Sequence, residues 1–358
     1  MYLTETNIAI VDMDYFFAQC EEIRKPELKD KPIAVCMFSG RTDESGAVAS
    51  ANYRARRSGV KAGMSIYHVK EICPDCTFIK ADMDYYRSVS NKIMNALRSK
   101  FSAIEEASID EAYIDITSLG EPKNVGKEIK QLIQETSRLT CTVGIGPNKL
   151  VAKIASDMAK PDGLLIVATD QIDDFLNPLP VERIPYIGLK TKEALNKAEI
   201  TTVKEARSLS LERLRTLFGR KHGEFMYNAF RGVDFRAVSE RPPHKQIGRI
   251  RSLREGGELY AELDDKVKRI ATDIIKRIST SKGAFQSITA LVIFEDFSYK
   301  TKARTLPLPA SSADLLFKEG LSMIKEIVTE NKKKEIRRVG LSVGRFKMIK
   351  EAQMDQFL

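Results

Sequence analysis

The stretch Ile8-Ala-Ile-Val-Asp12-Met-Asp14-Tyr-Phe-Phe17 decides the fold of this chain, together with the later stretch Ala107-Ser-Ile-Asp110-Glu111-Ala-Tyr-Ile-Asp115. Each begins with an apolar, β-branched run, which predicts a buried strand, and each carries acidic residues at or near the strand's end. Carboxylates that a fold brings together repel one another unless a cation lies between them. Mg²⁺ suits such a place because it prefers oxygen ligands, and two Mg²⁺ ions can stabilise an in-line phosphoryl displacement. The two stretches therefore predict a phosphoryl-transfer centre on a sheet.

The length and composition of the chain predict a globular protein of several domains. Its 358 residues exceed what one ordinary hydrophobic core serves, and 43% of them are hydrophobic while 30% are charged. We find no signal peptide and no apolar run long enough to span a bilayer, so we expect a cytoplasmic protein. The pair Cys73 and Cys76 leaves two alternatives, a zinc site or ordinary free thiols, and the presence of only three histidines favours the thiols.

The positive charge is concentrated near the C-terminus. The net charge is +9, and residues 241–350 hold 24 Lys and Arg against 13 Asp and Glu, whereas residues 1–240 hold 34 of each. A solvated basic surface is one explanation of such an excess. Its concentration in one terminal segment favours a polyanionic partner.

Strand and helix patterns divide the chain into three parts and a tail. The first part alternates strands and helices, and short amphipathic helices follow from 170 to about 235. A proline-rich linker is predicted at 236–245, and 246–346 have the β-α-β-β-α-β order of a ferredoxin-like unit. In the first part, strands are predicted at 7–12, 32–38, 47–51, 102–108, 111–116, 140–146 and 163–167, and helices at 14–24, 52–58, 84–100, 123–138 and 148–160.

With these features in place, the chain resembles the Y-family DNA polymerases, close to their archaeal polymerase IV branch, over essentially its whole length. The resemblance implies an α/β multidomain fold, with an α+β palm, in a right-hand polymerase architecture. The palm is then 1–15 plus 81–170, the fingers 16–80, the helical thumb 171–235 and the ferredoxin-like little finger 246–346. Besides the two acidic stretches, it rests on Ser39-Gly-Arg, Val48-Ala-Ser-Ala-Asn-Tyr53-Arg-Ala-Arg56, Gly59-Val-Lys-Ala-Gly-Met64, Thr142-Val-Gly-Ile-Gly-Pro-Asn-Lys149 and Ala159-Lys160-Pro-Asp-Gly163.

The resemblance implies a two-Mg²⁺ catalytic centre. Asp12, Asp110 and Glu111 match the family's catalytic, metal-binding carboxylates, and the backbone carbonyl of Met13 matches a further ligand. We exclude Asp14, which we expect to cap the helix that begins at Tyr15. Adjacent acids in a strand point to opposite faces, so the backbone at 109–111 must bend for both to serve the site.

The resemblance also assigns a triphosphate site. Tyr53, Arg56 and Lys160 match the residues that hold the incoming triphosphate, and Ser50 is a lesser candidate. The alternative for Arg56 is a routine surface cation, and the alternative for the Ser50 hydroxyl is a bond to the backbone. Lys160 shares a helix face with Lys149 and Lys153, which without the resemblance reads as a solvated face.

Phe17 matches the steric gate, the bulky ring that leaves no room for a ribonucleotide 2′-hydroxyl. The alternative is that Phe16 and Phe17 both lie in the core. Tyr15 and Phe16 match residues beside the nucleotide, and small residues above the nascent base pair imply an open pocket, low fidelity and tolerance of damaged templates. The matching positions are Ala49, Gly63 and Met64.

Two regions are candidates for DNA contacts. Ile184-Pro-Tyr-Ile-Gly188 resembles a helix-hairpin-helix loop that binds phosphate near Gly188, although Tyr186 replaces the usual glycine and an ordinary helical hairpin is the alternative. Basic strands of the little finger suit sequence-independent contacts to the DNA backbone. The residues concerned are Arg249, Arg251, Arg337 and Arg338.

The C-terminal tail, 347–358, resembles a sliding-clamp-binding peptide. Met354 and Phe357 fit the pattern, Leu358 fits in part, and Glu351 replaces the usual leading Gln. A frayed hydrophobic tail is the alternative, although exposed apolar residues in a tail favour a partner.

The resemblance predicts a monomeric, template-directed DNA polymerase that uses dNTPs and primer-template DNA. We expect low-fidelity translesion synthesis in DNA repair, with no proofreading exonuclease. Two alternatives remain open: a nucleotidyl cyclase, whose palm-like sheet also carries two-metal carboxylates, and a non-catalytic scaffold for DNA and clamp. The basic C-terminal part argues against the cyclase, and the presence of all three acids argues against the scaffold.

Overall fold

The computed structural model describes residues 6–42, 44–240, 244–254, 259–279 and 283–348, so the tail residues Met354, Phe357 and Leu358 lie outside the described part. Within the described part, no helix is long and apolar enough to cross a membrane. The chain divides into two compact units. The first contains the described residues of Met1–Val35, Ala49–Lys61 and Asp75–Arg241, and the second those of Cys36–Val48, Ala62–Pro74 and Pro242–Leu358.

Strands and helices alternate in the first half of the chain, as the sequence predicts. In chain order they are β1 (Ile8–Met13), α1 (Phe16–Arg24), β2 (Ile33–Phe38), β3 (Gly46–Ala51), α2 (Tyr53–Arg57), α3 (Ile66–Ile72), β4 (Thr77–Lys80), α4 (Met83–Lys100), β5 (Ile104–Glu106), β6 (Glu111–Asp115), α5 (Pro122–Ser137), β7 (Cys141–Gly146), α6 (Lys149–Ala159) and β8 (Leu164–Ile166). Helix α3 and strand β4 were not predicted from the sequence.

Short helices and then a second α/β region complete the described chain. They are α7 (Ile172–Leu176), α8 (Leu189–Asn196), α9 (Val203–Arg207), α10 (Leu211–Phe218), α11 (Arg220–Ala229), β9 (Gln246–Ser252), α12 (Leu259–Ser279), β10 (Gly283–Phe294), β11 (Tyr299–Ala310), α13 (Ala313–Glu330), β12 (Ile336–Gly344) and β13 (Lys347–Met348). The order from β9 to β12 is the predicted β-α-β-β-α-β, and the expected multidomain α/β fold class is confirmed.

The N-terminal sheet, in the order β5-β6-β1-β7-β8, forms the frame of the first unit. Its strands β1, β6 and β7 pair antiparallel, and β8 runs parallel to β7. Successive side chains of a strand point to opposite faces. On β1, Val11 and Met13 therefore share one face, where they pack in a core with α1, α4 and α5, and Asp12 points to the other.

Helix α6 lies on the face of the N-terminal sheet that carries Asp12. It can lie close because β7 has a glycine there: a Cβ on Gly144 would stand 2.2 Å from the Ala152 carbonyl oxygen. The opposite side of α6 supplies Leu150 and Ile154 to the core of the short helices α7–α11. Helix α6 therefore packs against both the N-terminal sheet and the short helices. This packing fixes the side chains that α6 directs at the carboxylates.

The C-terminal sheet has the order β11-β10-β12-β9, with β13 pairing to β10. Helices α12 and α13 cover one face, where residues such as Val267, Ile324, Val292 and Val339 form a separate hydrophobic core. The other face, with alternating residues of β9, β10 and β12, holds glycine, serine and threonine among larger side chains and borders a cavity of about 680 Å³.

Two local predictions from the sequence concern the cap of α1 and the pair Cys73 and Cys76. The expectation that Asp14 caps α1 is wrong: α1 begins at Phe16, its cap position is Tyr15, and no side-chain cap is made there. Asp14 is instead fully buried and bonded to distant residues, as described below. Cys73 and Cys76 are both buried.

Candidate active site

The three predicted carboxylates meet at the end of β1. Asp12 and Glu111 are direct partners in the register of β1 and β6, so their side chains lie on one face of the sheet. Asp110 precedes β6 in a tight turn, in which the Ala107 and Ser108 amides donate to the Glu111 carbonyl at 2.9 and 3.2 Å. This turn is the bend that the sequence analysis required, because it takes Asp110 out of the strand alternation. The amide of Met13 donates to the Asp110 carbonyl at 2.9 Å and ties the turn to β1.

Two lysines partly neutralise this acidic cluster. Lys153 lies on α6, and Lys160 directly follows the helix. Lys153 Nζ lies 3.0 Å from Asp12 Oδ2 and 2.5 Å from Glu111 Oε1, and Lys160 Nζ lies 2.6 Å from Asp12 Oδ2. Lys160 was expected to bind triphosphate, whereas Lys153 was noted only as a member of its helix face, with no role at the carboxylates. The glycines of β7 were the available signal, because they allow α6 to approach the carboxylate face of the sheet.

Burial and charge act in opposite directions on these groups. Burial raises the pKa of Glu111, and the hydrogen bond shared with Asp12 raises it further. Burial also acts to raise the pKa of Asp12, but the bond with Glu111 and the charges of Lys153 and Lys160 outweigh it, so the pKa of Asp12 falls. The pKa of Asp110 is raised, chiefly by burial. The cluster therefore holds its negative charge only with cations beside it.

The donor set fits a hard divalent cation. Three carboxylates and a main-chain carbonyl are oxygen ligands, which Mg²⁺ prefers. Among the described residues, no three His, Cys, Asp or Glu side chains are close enough together to hold one metal ion. An ammonium group, from Lys153, lies between Asp12 and Glu111 instead. The pocket between those two carboxylates thus already accepts a positive charge.

The candidate triphosphate residues on α2 lie beside Tyr15. The Tyr53 hydroxyl is buried without a hydrogen-bond partner in the described residues, and its ring packs edge-on to Tyr15 at 5.0 Å. Burial raises the pKa of Tyr53 to about 12, so the hydroxyl keeps its proton and can donate it to an acceptor. Arg56 Nε donates to the Ala51 carbonyl at 2.8 Å, which uses one of its five N–H donors, and its guanidinium lies 5.1 Å from the Tyr53 ring centre.

The strand before α2 is β3, which carries Ser50 and Ala49. The Ser50 hydroxyl donates to the Tyr15 carbonyl at 3.2 Å, which is the backbone bond that the sequence analysis named as the alternative. Tyr15 has a left-handed backbone with φ of 35°, and its hydroxyl donates to Glu22 Oε2 at 3.0 Å. Ala49 is partly exposed. Ser50 therefore fixes the backbone of Tyr15, whatever else it contacts.

Phe16 and Phe17 lie in different environments. Phe16 is 2% exposed and belongs to the core, whereas Phe17 is partly exposed. The Phe17 ring stacks on Tyr86 of α4, with ring centres 4.5 Å apart and an angle of 15°. The Tyr86 hydroxyl in turn donates to the buried Glu21 at 2.8 Å. Tyr86 was not predicted from the sequence, because no local sequence pattern indicates that α4 packs against α1.

The hairpin before α8 keeps its glycine-type geometry in spite of Tyr186. Tyr186 has φ of 69°, a left-handed conformation that is uncommon for a tyrosine. Its ring packs edge-on against Phe225 at 5.5 Å, and its hydroxyl accepts from Arg236 at 3.3 Å. Gly188 stands at the start of α8, where the helix has no side-chain cap. These contacts hold Tyr186 in a backbone conformation that glycine adopts at no cost.

The candidate DNA-binding arginines divide between the two faces of the C-terminal sheet. Arg249 and Arg251 lie opposite Leu341 and Val339 of β12, on the face that the helices cover, and Arg251 contacts Asp273 at 2.6 Å. Arg337 stands at a register shift of β12, where it contacts Glu295 at 3.0 Å. Arg338 is exposed on the open face.

Three family models match this chain. The model described as the impB/mucB/samB family matches residues 11–157, and the model of that family's C-terminal domain matches residues 244–356. Residues 182–234 match the thumb domain of DNA polymerase-iota.

Relatives match over almost the full length. The DNA polymerase IV of Nitrosopumilus maritimus is 39% identical over 349 residues, 95% of this chain and 96% of that protein. The DNA polymerase IV of Saccharolobus solfataricus is 35% identical over 354 residues, 98% of this chain and 99% of that protein.

Solved structures agree with this match. A Y-family DNA polymerase chimera, Dbh-Dpo4(243-245)-Dbh, is 33% identical and has a TM-score of 0.88, covering 96% of this chain and 100% of that one. An insertion ternary complex of Dbh DNA polymerase is 32% identical, with a TM-score of 0.66 and the same coverage. The likeness confirms the expected right-hand polymerase architecture. From these matches, the chain belongs to the impB/mucB/samB family and is a Y-family DNA polymerase.

Proposed function

We propose that this chain adds deoxynucleotides to the 3′ end of a primer, as a DNA template directs, and that it copies past damaged bases. The observation that carries the proposal is the pairing of Asp12 with Glu111 on adjacent strands, with Asp110 in the turn beside them. Such a cluster on one face of a sheet suits phosphoryl transfer, in which the protein's work is mainly positioning and charge stabilisation.

Asp12, Asp110, Glu111 and the carbonyl of Met13 would hold two Mg²⁺ ions. When bound, these ions would stabilise charge on the attacking and leaving oxygens. Lys153 keeps Asp12 and Glu111 together against their mutual repulsion, since its ammonium contacts both carboxylates. The site is therefore preorganised by the chain's own cations.

Tyr53, Arg56 and Lys160 hold the triphosphate of the incoming dNTP. The buried Tyr53 hydroxyl lacks an acceptor in the described residues, and a phosphate oxygen supplies one. Arg56 offers forked N–H donors and Lys160 a point charge, both suited to phosphate. The remaining residues of this pocket act through shape or backbone; they are Tyr15, Phe16, Ala49 and Ser50.

Phe17 selects the sugar. Its position on the rigid ring of Tyr86 suits a gate, because a fixed ring can exclude a 2′-hydroxyl by contact distance alone. Low fidelity follows from a roof of small residues such as Ala49 over the nascent base pair, and we propose that the chain does not proofread. Incubation with a primer carrying a mismatched 3′ end tests the last point, since a proofreading enzyme shortens it.

The partners are primer-template DNA and a sliding clamp that binds the C-terminal tail. We retain the domain boundaries given by the sequence, namely 1–15 and 81–170 for the palm, 16–80 for the fingers, 171–235 for the thumb and 246–346 for the little finger. Gly188, Arg249, Arg251 and Arg338 contact the DNA backbone, with Arg251 released from Asp273 as DNA binds, whereas Arg337 stays with Glu295. Met354, Phe357 and Leu358 dock on the clamp, and the enzyme is a monomer.

Primer extension tests the proposed function. The template carries one abasic site, and the reaction contains dNTPs with and without Mg²⁺. We expect Mg²⁺-dependent extension across the abasic site by the natural chain. Failure to extend even the undamaged template would refute polymerase activity, and extension that stops at every abasic site would refute the translesion proposal alone.

A further inference from the structure

The loop that carries Lys160 is anchored from one side by Lys130 of α5. Lys130 Nζ donates to the Asp162 carbonyl at 2.7 Å and to Asp162 Oδ1 at 2.5 Å. It also donates to the Cys141 carbonyl at 2.6 Å, at the start of β7, with a longer contact of 3.4 Å to the Gly163 carbonyl. The Lys130 ammonium group thus contacts three carbonyls and one carboxylate, and these contacts join the start of β7 to the loop.

Asp14 anchors the same loop through a second set of contacts. Its side chain is fully buried, and Oδ2 accepts the Asp162 amide at 2.9 Å. Oδ1 accepts the Thr142 hydroxyl at 2.8 Å, and Oδ2 also accepts the Thr140 hydroxyl at 3.2 Å. Asp162 is therefore held at its amide by Asp14, and at its carbonyl and carboxylate by Lys130.

The loop needs such anchors because its backbone is unfavourable. Asp162 has φ of 51°, in the left-handed region that is uncommon for any residue with a side chain, although Asp adopts it more often than most. At the next residue, a Cβ on Gly163 would stand 2.0 Å from the Ala159 carbonyl oxygen, so the turn folds tightly against the end of α6. Lys160 starts this turn, and its ammonium lies 2.6 Å from Asp12 Oδ2. Fixing Asp162 therefore fixes the backbone from which Lys160 reaches the catalytic cluster.

We propose that Asp14 and Lys130 are positioning residues, which hold Lys160 where it meets the triphosphate of the incoming nucleotide. The proposal rests on the triphosphate role proposed above for Lys160. Neither residue touches the substrate. Their effect on the reaction passes through the loop, since a misplacement of about 1 Å in a positioning group can cost roughly a hundredfold in rate.

The test is single-nucleotide incorporation, with KM for the dNTP and kcat measured separately. Lys130→Met keeps the length of the side chain and removes its charge, while Asp14→Asn keeps the shape and removes the second acceptor oxygen. We expect each to raise KM by about tenfold, the equivalent of about 1.4 kcal/mol, with a smaller change in kcat. Lys127→Met, at an exposed position on the same helix, is the matched control and should change neither constant. Lys130→Arg should restore part of the loss, because it returns the charge.

A double-mutant cycle with Lys160→Ala distinguishes positioning from a general loss of structure. If Lys130 acts through Lys160, Lys130→Met should raise KM in the natural chain and hardly at all when Lys160 is already alanine. Equal effects of Lys130→Met in both backgrounds, or no effect in either, would overturn the positioning role. An unchanged KM in Lys160→Ala itself would instead refute the triphosphate role of Lys160. Thermal unfolding of each variant sets an assay temperature at which all are folded.

Discussion

The N-terminal sheet and the C-terminal sheet carry charge in opposite ways. On the N-terminal sheet, charged groups converge: Asp12 is 4% exposed and Lys153 bridges it to Glu111 within 3.0 Å. On the C-terminal sheet, the cations are spread out, and Arg251 and Arg337 each have a carboxylate partner of their own. Arg251 contacts Asp273, and the side chains of that pair are 40% and 41% exposed.

The difference in burial decides what each arrangement can do. A buried ion pair that loses one partner leaves an uncompensated charge, at a cost of about 3–5 kcal/mol, so the catalytic cluster has little freedom. An exposed pair contributes only about 0–1 kcal/mol. Its arginine can therefore exchange a carboxylate for a phosphate at small cost. We infer that the first arrangement suits catalysis at a fixed place and the second suits movement along DNA.

The largest effect should come from the buried cluster. Glu111→Gln keeps the shape of the side chain and removes its charge, and we expect it to lower kcat for primer extension by about a thousandfold, the equivalent of about 4 kcal/mol. DNA affinity, measured by fluorescence anisotropy, should hardly change. The control is Glu106→Gln on the neighbouring strand, where Glu106 pairs with Arg98 at 2.5 Å. Near-normal extension by Glu111→Gln would mean that the cluster is a structural ion-pair network.

Sugar selection should depend on packing near that cluster. Phe17→Ala should raise the use of ribonucleotides relative to deoxyribonucleotides by about a hundredfold, equivalent to about 2.7 kcal/mol. Tyr86→Leu should give a smaller rise, because the stacking partner of Phe17 is lost, and Tyr86→Phe should give almost none. Competition between the two nucleotide types in one primer-extension reaction measures the ratio. An unchanged ratio in Phe17→Ala, with lowered thermal stability, would assign Phe17 to the core alone.

On the C-terminal sheet, one arginine should matter more than its neighbour. Arg338 is exposed on the open face, whereas Arg337 contacts Glu295 at 3.0 Å and lies 4.8 Å from the Phe297 ring centre. We expect Arg338→Ala to reduce the slope of log affinity against log salt by about 0.9, the loss of one phosphate contact. Arg337→Ala should leave that slope nearly unchanged and lower thermal stability instead. Titrations on two unrelated duplexes check both points, and the opposite ranking would mean that Arg337 supplies the phosphate contact.

Local patterns predicted the elements well, and long-range contacts explain what they missed. Alternation and helical spacing located most strands and helices, and the turn at Asp110 followed from the need to bend between adjacent acids. The register of β1 with β6 is not a local property, yet it brings Asp12 opposite Glu111. Asp14 shows the limit most clearly: its local pattern predicts a helix cap, but tertiary partners on β7 and the Lys160 loop bind it instead.

The same limit applies to the cations. Lys153 and Asp12 are 141 residues apart in the chain, so their spacing carries no signal of contact. Charge counts identified the basic segment but not its pairing. Arg251 and Arg337 were both expected to face phosphate, and each has a carboxylate partner within the C-terminal unit. Sequence composition thus gives the sign of a surface, whereas the fold decides which of its charges are available.

The smallest effect tests whether those pairs can be exchanged for phosphate. Asp273→Asn removes the partner of Arg251, whose Nε is also buried without a hydrogen-bond partner among the described residues. We expect DNA affinity to rise about threefold at low salt, since an exposed pair offers about 0–1 kcal/mol to be released. The salt slope should steepen by up to about 0.9, because one more cation becomes available to phosphate.

The matched control is Asp265→Asn on the same helix, where Asp265 contacts Arg269 at 3.0 Å and both side chains are more than half exposed. Both substitutions remove one negative charge from α12, so a general gain in positive charge affects them alike. Only Asp273→Asn releases an arginine of the sheet. If the two variants gain affinity equally, the effect belongs to net charge, and Arg251 serves to join α12 to β9. If Asp273→Asn alone gains affinity, and the gain disappears at high salt, Arg251 is able to bind a DNA phosphate in place of Asp273.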